Sequence, residues 1–179
     1  MSDILPDKRI LIITGEGKGK TTSALGMALR ASGHEQKVCI IHFVKSRRKV
    51  GEVLAISKFL PFVEQHITGL GFLPKEGTEE FEKHRAAAVE GLRLSVEKLK
   101  SGMFDLVILD EICWALHRNL IEEKEVLLLF DLMKKGSALV MTGRYAKQSL
   151  IDRADTVTEM VSIKHAYESG VGAQAGIEK

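Results

Sequence analysis

The 179-residue sequence is poor in cysteine and proline and contains no long apolar run. Its two cysteines, Cys39 and Cys113, each lie in a short apolar segment that is typical of a buried strand or its end, which indicates reduced thiols. No segment approaches the roughly 20 apolar residues that a membrane span requires, and the first residues lack the apolar core of a signal peptide. We therefore expect a soluble, cytoplasmic protein.

The sequence also lacks a large excess of either positive or negative charge. Lysine and arginine number 26 and aspartate and glutamate 24, so the net charge of +2 gives no general attraction to nucleic acid or to an anionic membrane. The six histidines show no metal-binding spacing, and protein-bound zinc or iron is not expected. With 45% apolar residues, the chain is long enough for one core, and residues 1–179 are predicted to form a single domain.

Short apolar runs alternate with segments of helical period. Six of these runs are predicted as strands: Arg9–Thr14, Val38–Phe43, Phe62–Ile67, Leu106–Leu109, Ala138–Thr142 and Val157–Ile163. One helix is predicted to begin at Thr21, with Leu25, Ala28, Leu29 and Ser32 on one face, and a long helix covers Thr78–Lys100. This alternation predicts an α/β fold with a mostly parallel sheet of about six strands and helices on both faces. Loops 44–52 and 68–77 follow strands and should line a site at their carboxyl ends.

The first predicted strand runs into a glycine-rich loop and then a helix, which is the context of a P-loop. Backbone N–H groups of such a loop can form a nest for phosphate, a lysine adds positive charge, and a threonine hydroxyl can bind Mg²⁺. The predicted ATP-binding residues of the loop are Gly15, Glu16, Gly17, Lys18, Gly19, Lys20, Thr21 and Thr22. Only three residues separate Gly15 from Gly19, one fewer than usual, because Thr14 holds the expected glycine position. This shorter loop allows chemistry at a part of ATP other than the γ-phosphate.

A second acidic motif ends the fourth predicted strand. Asp110 and Glu111 follow the run Leu106–Leu109, and one carboxylate can hold Mg²⁺ while the other orients substrate or water. The alternative is an ordinary strand end with two solvated acids.

Four blocks together resemble the ATP:corrinoid adenosyltransferase family of cobalamin biosynthesis. They are residues 15–22, residues 109–111, residues 142–144 and the C-terminal stretch 150–178. The resemblance implies transfer of the 5′-deoxyadenosyl group from MgATP to a corrinoid reduced to Co(I), with release of triphosphate. It also implies a homodimer and an electron-donor protein as partner.

Carried over by residue, the resemblance assigns catalysis to Lys20, Thr21 and Glu111, and Mg²⁺ to Thr21 and Glu111 with Asp110 as the competing ligand. Arg144 is assigned to the nucleotide at the rim of the site, and a surface or interface ion pair is its alternative.

Corrinoid binding is assigned to Leu70, Phe72 and Lys45. Relatives often carry aromatic residues at the two loop positions, so the apolar surface here is weaker. Only about eight residues precede the first predicted strand, where many relatives carry an additional segment, so closure of the pocket is expected to differ.

Two other functions fit the same motifs. A small-molecule kinase or an NTPase would act at the γ-phosphate. A nucleotide or corrinoid sensor would bind without turnover.

Overall fold

The predicted strands form one parallel sheet in the computed structural model, which describes residues 7–46 and 50–177. Within these residues the six strands are β1 (Lys8–Thr14), β2 (Val38–His42), β3 (Val63–Ile67), β4 (Leu106–Asp110), β5 (Ser137–Thr142) and β6 (Thr156–Glu159). Their order across the sheet is β3-β2-β4-β5-β1-β6, and every neighbouring pair is parallel. The predicted α/β class is therefore confirmed.

Helices connect the strands. They are α1 (Lys20–Gly33), α2 (Gly51–Phe59), α3 (Glu79–Ser101), α4 (Ile112–His117), α5 (Glu123–Leu128) and α6 (Gln148–Ile151), with 3₁₀ turns at Leu129–Leu132 and Ala166–Ser169. Apart from α1 and α3, these helices were not placed by the sequence. Among the described residues, no helix combines the length and apolar character needed to cross a membrane.

The two faces of the sheet are buried against different helices. Ala24, Ala28 and Ala31 of α1 pack on one face, against alternate residues of the central strands. Helices α3 and α4 pack on the other face, with Phe81 and Leu92 among the buried residues. Since alanine has no bulk beyond Cβ, α1 can lie close to the sheet.

The long helix begins and ends as predicted. The hydroxyl of Thr78 accepts the Phe81 N–H at 3.2 Å, and three acidic residues occupy the first turn. The helix stops at Gly102, whose left-handed backbone (φ 63°) suits a residue without Cβ.

Four predictions about the elements need correction. Leu29 is 60% exposed and lies outside the buried face of α1, which includes Ala28 and Ser32 as predicted but continues through Ala24 and Ala31. Strand β6 ends at Glu159 and not at Ile163, because the chain turns over the P-loop at Met160. Cys113 lies in α4 and not in a strand, although it is buried as expected, and both cysteines are free.

The fourth correction concerns the loop predicted at 44–52. Gly51 and Glu52 begin α2. Arg47, Arg48 and Lys49, which belong to this predicted loop, lie outside the described residues. The second predicted loop, 68–77, is confirmed as a connection between β3 and α3.

This second loop lies directly on the segment that follows β2. The Gly71 N–H donates to the Val44 carbonyl at 2.8 Å. A Cβ added at Gly69 would lie 2.2 Å from the Val44 carbonyl carbon, far closer than atoms can approach. Gly69 therefore fixes the position of loop 68–72 over the carboxyl end of β2.

We predict that Gly69→Ala lowers the free energy of unfolding by roughly 1–3 kcal/mol, because backbone must move to admit the methyl group. Urea unfolding measures this change. Gly26→Ala is the control, since Gly26 is an exposed residue of α1 with open space around its Cα, and alanine there should be neutral or stabilising by up to about 1 kcal/mol. Equal stability of Gly69→Ala and the wild type would contradict the close approach.

Candidate active site

The P-loop closes around its own lysine. Lys20 is the first residue of α1, and its ammonium donates to the carbonyls of Gly15 at 2.7 Å and Gly17 at 2.8 Å. Gly15 and Gly19 have φ of 94° and 114°, a backbone region that glycine adopts without strain. Burial lowers the pKa of Lys20, which has only 8% of its surface exposed. The charge expected at the phosphates therefore already lies inside the loop.

One backbone N–H of the P-loop already donates a hydrogen bond to another part of the chain. Gly17 donates to the Met160 carbonyl at 2.6 Å, and a Cβ at Gly17 would lie 2.7 Å from the same oxygen. The Gly17 N–H is therefore satisfied by the chain itself in this structure. Lys18 also faces this side, and its ammonium donates to the Ile177 carbonyl at 2.9 Å. The segment after β6 thus covers the outer side of the P-loop.

Asp110 is the most heavily bonded side chain of the site. Its Oδ1 accepts from the hydroxyls of Thr21 at 2.7 Å and Thr142 at 2.8 Å, and its Oδ2 lies 2.9 Å from His42 Nδ1. Burial acts to raise the pKa of Asp110, but the His42 and Thr21 hydrogen bonds hold it below its ordinary value. An ionised carboxylate at 3% exposure therefore joins the ends of β2, β4 and β5 to α1.

Glu111 is held differently. Its backbone is left-handed (φ 64°), and its N–H donates to the Thr142 hydroxyl at 2.9 Å. Among the described residues, no hydrogen bond reaches the Glu111 carboxylate. Burial and then the charge of Asp110 raise its pKa, against the opposing charges of Lys20, Arg144 and Lys45. Of the two acids that the sequence singled out, Glu111 is the one whose oxygens remain available to a ligand.

Two cations border these acids. Arg144 lies after β5, about half exposed, and pairs with Glu16 of the P-loop at 3.3 Å. Lys45 follows β2 and pairs with Glu52 of α2. Although burial acts to raise the pKa of Glu52, its bonds with Lys45 lower it. Both cations thus contribute positive charge to the site while holding an acid of the protein. Thr22 lies on the exposed side of the first turn of α1.

The loop proposed for the corrinoid is exposed. Leu70 is 50% exposed and the Phe72 side chain is entirely exposed, although both are apolar. The backbone below them is anchored, since the Thr68 and Gly69 N–H groups donate to the His42 carbonyl at 3.1 Å each. The loop therefore presents apolar side chains to solvent from a fixed backbone.

Sequence reasoning missed an aromatic group at the rim. Trp114 packs with His117 and Tyr145, and the His117 and Tyr145 rings are 4.2 Å apart. A hydrogen bond with Glu16 raises the pKa of Tyr145. No signal in the sequence joins these rings, because they come from α4 and from the loop after β5.

Two further histidines have hydrogen-bond partners. His165 accepts the Tyr167 N–H at 3.2 Å, which is a structural hydrogen bond that begins a 3₁₀ turn. Cys39, Glu64 and His66 bring their ligand atoms within 4.8 Å of one another, a grouping that strand pairing creates and sequence spacing did not reveal. The Lys98 ammonium donates to Glu64 at 2.6 Å, and burial raises the pKa of Cys39 to about 12, so these side chains form an ion-pair network with a protonated thiol.

The chain is similar to known corrinoid adenosyltransferases. The family model of ATP:corrinoid adenosyltransferase BtuR/CobO/CobP matches residues 7–178. A corrinoid adenosyltransferase of Pseudomonas aeruginosa is 36% identical over 169 residues, which cover 94% of this chain and 82% of that protein. One of Escherichia coli K12 is 33% identical over 169 residues, with 94% and 84% covered.

A corrinoid adenosyltransferase of Sinorhizobium is 36% identical over 171 residues, covering 94% of this chain and 79% of that protein. Among solved structures, domain III of the Thermotoga maritima replication initiation protein DnaA has a TM-score of 0.43 and 15% identity, covering 87% of this chain and 55% of that chain, which is too distant to bear on function. The match of the family model to nearly the whole chain shows that it belongs to the ATP:corrinoid adenosyltransferase family.

Proposed function

We propose that this chain transfers the 5′-deoxyadenosyl group of MgATP to the Co(I) centre of a reduced corrinoid and releases triphosphate, in the biosynthesis or salvage of adenosylcobalamin. One observation carries the proposal. In this chain, which belongs to the family, Lys20, Thr21 and the available carboxylate of Glu111 lie together at the carboxyl edge of the sheet. Residues 1–179 would act as one catalytic domain.

The reaction balances without a nucleophile from the protein. The Co(I) centre supplies both electrons of the new bond to C5′, and the C5′–O bond breaks, with its electron pair leaving on triphosphate. The thiols of this chain are consistent with a reaction that uses no nucleophile from the protein. Burial raises the pKa values of both Cys39 and Cys113 to about 12, so neither is a thiolate near neutral pH.

The protein's task is then to hold and neutralise the leaving triphosphate. Lys20 would exchange its contacts with the Gly15 and Gly17 carbonyls for phosphate oxygens. The N-terminus of α1, which begins at Lys20, adds N–H groups and the positive end of the helix dipole. Fixed donors of this kind stabilise developing negative charge, and they fix the direction in which C5′ faces the second substrate.

The donor set fits Mg²⁺, a cation that prefers hydroxyl, carboxylate and phosphate oxygens. Thr21 gives its proton to Asp110, so the lone pairs of its hydroxyl oxygen remain free for a cation. Glu111 offers a carboxylate without a hydrogen bond among the described residues. We therefore assign Thr21 and Glu111 as ligands, with Asp110 behind Thr21. Bound Mg²⁺ would supply charge neutralisation at the triphosphate.

The corrinoid would lie against loop 68–72. A flat macrocycle gains from apolar contact, and Leu70 and Phe72 offer exposed apolar surface on a backbone anchored to β2. Lys45, which follows β2, would contact either the corrin amides or the nucleotide. Arg144 would complete the nucleotide side of the site.

The assembly and its supply of electrons follow from the same function. We infer a cytoplasmic homodimer that receives its corrinoid reduced by an electron-donor protein. Light scattering after size-exclusion chromatography should give a mass twice that of one chain, and a monomer at micromolar concentration would contradict the dimer.

Product analysis tests the proposed function. Wild-type protein with MgATP and a chemically reduced corrinoid should release triphosphate and change the visible spectrum as the cobalt–carbon bond forms. Lys20→Ala should abolish both signals, whereas Lys83→Ala, on the exposed surface of α3, should retain them. ADP as the sole product would indicate a kinase or NTPase, and binding without turnover would indicate a sensor.

We expect Glu111→Gln to be more stable near neutral pH but less active than the wild type. Because burial raises the pKa of Glu111, ionising it costs free energy in the folded state. At a pH below the pKa of the unfolded carboxyl the group is protonated in both states and this cost is absent; the cost grows as the pH rises from the unfolded-state pKa to the folded-state pKa, and it is complete above the latter. We expect Glu111→Gln to be more stable near neutral pH by on the order of 1 kcal/mol, with no gain in acid.

The same Glu111→Gln variant should lose most Mg²⁺-dependent turnover. Glu35→Gln is the control, since Glu35 is exposed and has a similar left-handed backbone (φ 58°). Chemical unfolding at several pH values measures the stability difference. A Glu111→Gln protein less stable than the wild type at neutral pH would contradict the buried, unbonded carboxylate.

Phe72→Ala should weaken corrinoid binding alone. The side chain is fully exposed, so the free energy of unfolding should change by no more than about 0.5 kcal/mol. Loss of its contact with a flat ring should raise KM for the corrinoid by about tenfold and leave KM for ATP unchanged. Phe59→Ala, at an exposed site on α2, serves as the control. An unchanged corrinoid KM would remove loop 68–72 from the binding site.

A further inference from the structure

We propose that His42 is a positioning residue for the cation-binding half of the site, where it fixes the Asp110 carboxylate that in turn holds the Thr21 hydroxyl. This inference rests on the proposed Mg²⁺ and ATP site. His42 itself contacts neither the P-loop nor the proposed ligands through any hydrogen bond of the described residues, so its effect must pass through Asp110.

The position of His42 is set by the sheet. It is the last residue of β2 and is fully buried, and its strand partner in the parallel register of β2 and β4 is Asp110. The residue two before it, Ile40, packs on the α1 face of the sheet. Because side chains alternate along a strand, His42 and Asp110 both point to that face, where α1 carries Thr21.

His42 supplies the contact that the second carboxylate oxygen needs. Oδ1 of Asp110 is already engaged by two hydroxyls, from Thr21 and Thr142. Oδ2 accepts from His42 Nδ1 at 2.9 Å, and no other described residue donates to it. Without this donor, a buried carboxylate oxygen would be left unpaired, and the group would be free to turn toward another donor. Turning would move Oδ1 away from the Thr21 hydroxyl.

Only one edge of the imidazole is used for this task. His42 Nε2 is buried and has no hydrogen-bond partner among the described residues. The contact with Asp110 is therefore the polar interaction that accounts for a histidine at this position. A side chain with a single amide donor in place of Nδ1 should perform the same function.

The sheet contains a second imidazole–carboxylate contact that lacks this connection. His66 bonds to Glu64 on the edge strand β3, at 2.5 Å between Nε2 and Oε1. Glu64 is 41% exposed and binds Lys98 of α3, and among the described residues it has no hydrogen bond to the P-loop or to the acidic strand end. Substituting His66 thus removes a similar pair without touching the site, which makes it a matched control.

The test is the free Mg²⁺ concentration that gives half-maximal ATP binding, measured by calorimetry for four proteins. His42→Leu removes the donor at similar volume and should raise this concentration by about tenfold, the lower end of the range seen when hydrogen bonds behind the ligands of a metal are lost. His42→Asn keeps a donor where Nδ1 stands and should return to within about threefold of the wild type. His66→Leu should match the wild type.

Unfolding curves accompany each variant. If His42→Leu does not fold, His42→Met is the second donor-free variant, since its flexible side chain can fill the space. An unchanged Mg²⁺ requirement in the donor-free variant, with or without a lower fraction of active protein, would overturn the inference and reduce His42 to a packing role. Failure of His42→Asn to recover would overturn it also.

The proposed function can fail separately. If ATP binding by the wild-type protein does not depend on Mg²⁺, the metal assignment is wrong and the role of His42 falls with it. If the wild type shows the dependence and His42→Leu shares it unchanged, the metal assignment stands and only the His42 inference is lost.

Discussion

The site depends on one buried carboxylate that the protein itself saturates. Asp110 accepts hydrogen bonds from Thr21, Thr142 and His42, which belong to α1, β5 and β2. A buried charge is tolerated only with such partners, because unpaired burial of a carboxylate costs several kcal/mol. The same bonds that make Asp110 tolerable therefore hold together the strand ends and the helix that carry the site.

This arrangement divides the work between two adjacent acids. Thr142 donates its proton to Asp110 and accepts the N–H of Glu111, so a single hydroxyl links the two acids and helps hold Glu111 in a left-handed backbone. Glu111 is thereby left buried with an available carboxylate and a raised pKa. Asp110 stabilises the structure of the site, whereas the Glu111 carboxylate remains available to bind a ligand. Sites that retain such a destabilising group commonly do so for function.

The sequence correctly predicted those parts of the fold that depend on interactions between residues close together in the chain. The strand, glycine-rich loop and helix of residues 8–33 follow from periodicity and glycine placement, and Thr78 and Gly102 mark the ends of α3. Predictions failed where contacts with a segment distant in the chain determine the end of a strand or the burial of a side chain. Strand β6 ends early because Met160 bonds to Gly17, and Leu29 is exposed because the sheet meets the alanine row of α1. The contacts of His42 and Thr142 with Asp110 arise from strand order, which no short motif contains.

A crystal structure with MgATP bound would test the division of roles between the two acids most directly. We expect the Thr21 hydroxyl and the Glu111 carboxylate to be direct ligands of the metal. Asp110 should keep its hydrogen bonds to His42, Thr142 and Thr21. Direct coordination by Asp110, with its bond to His42 broken and Glu111 turned away from the metal, would contradict it.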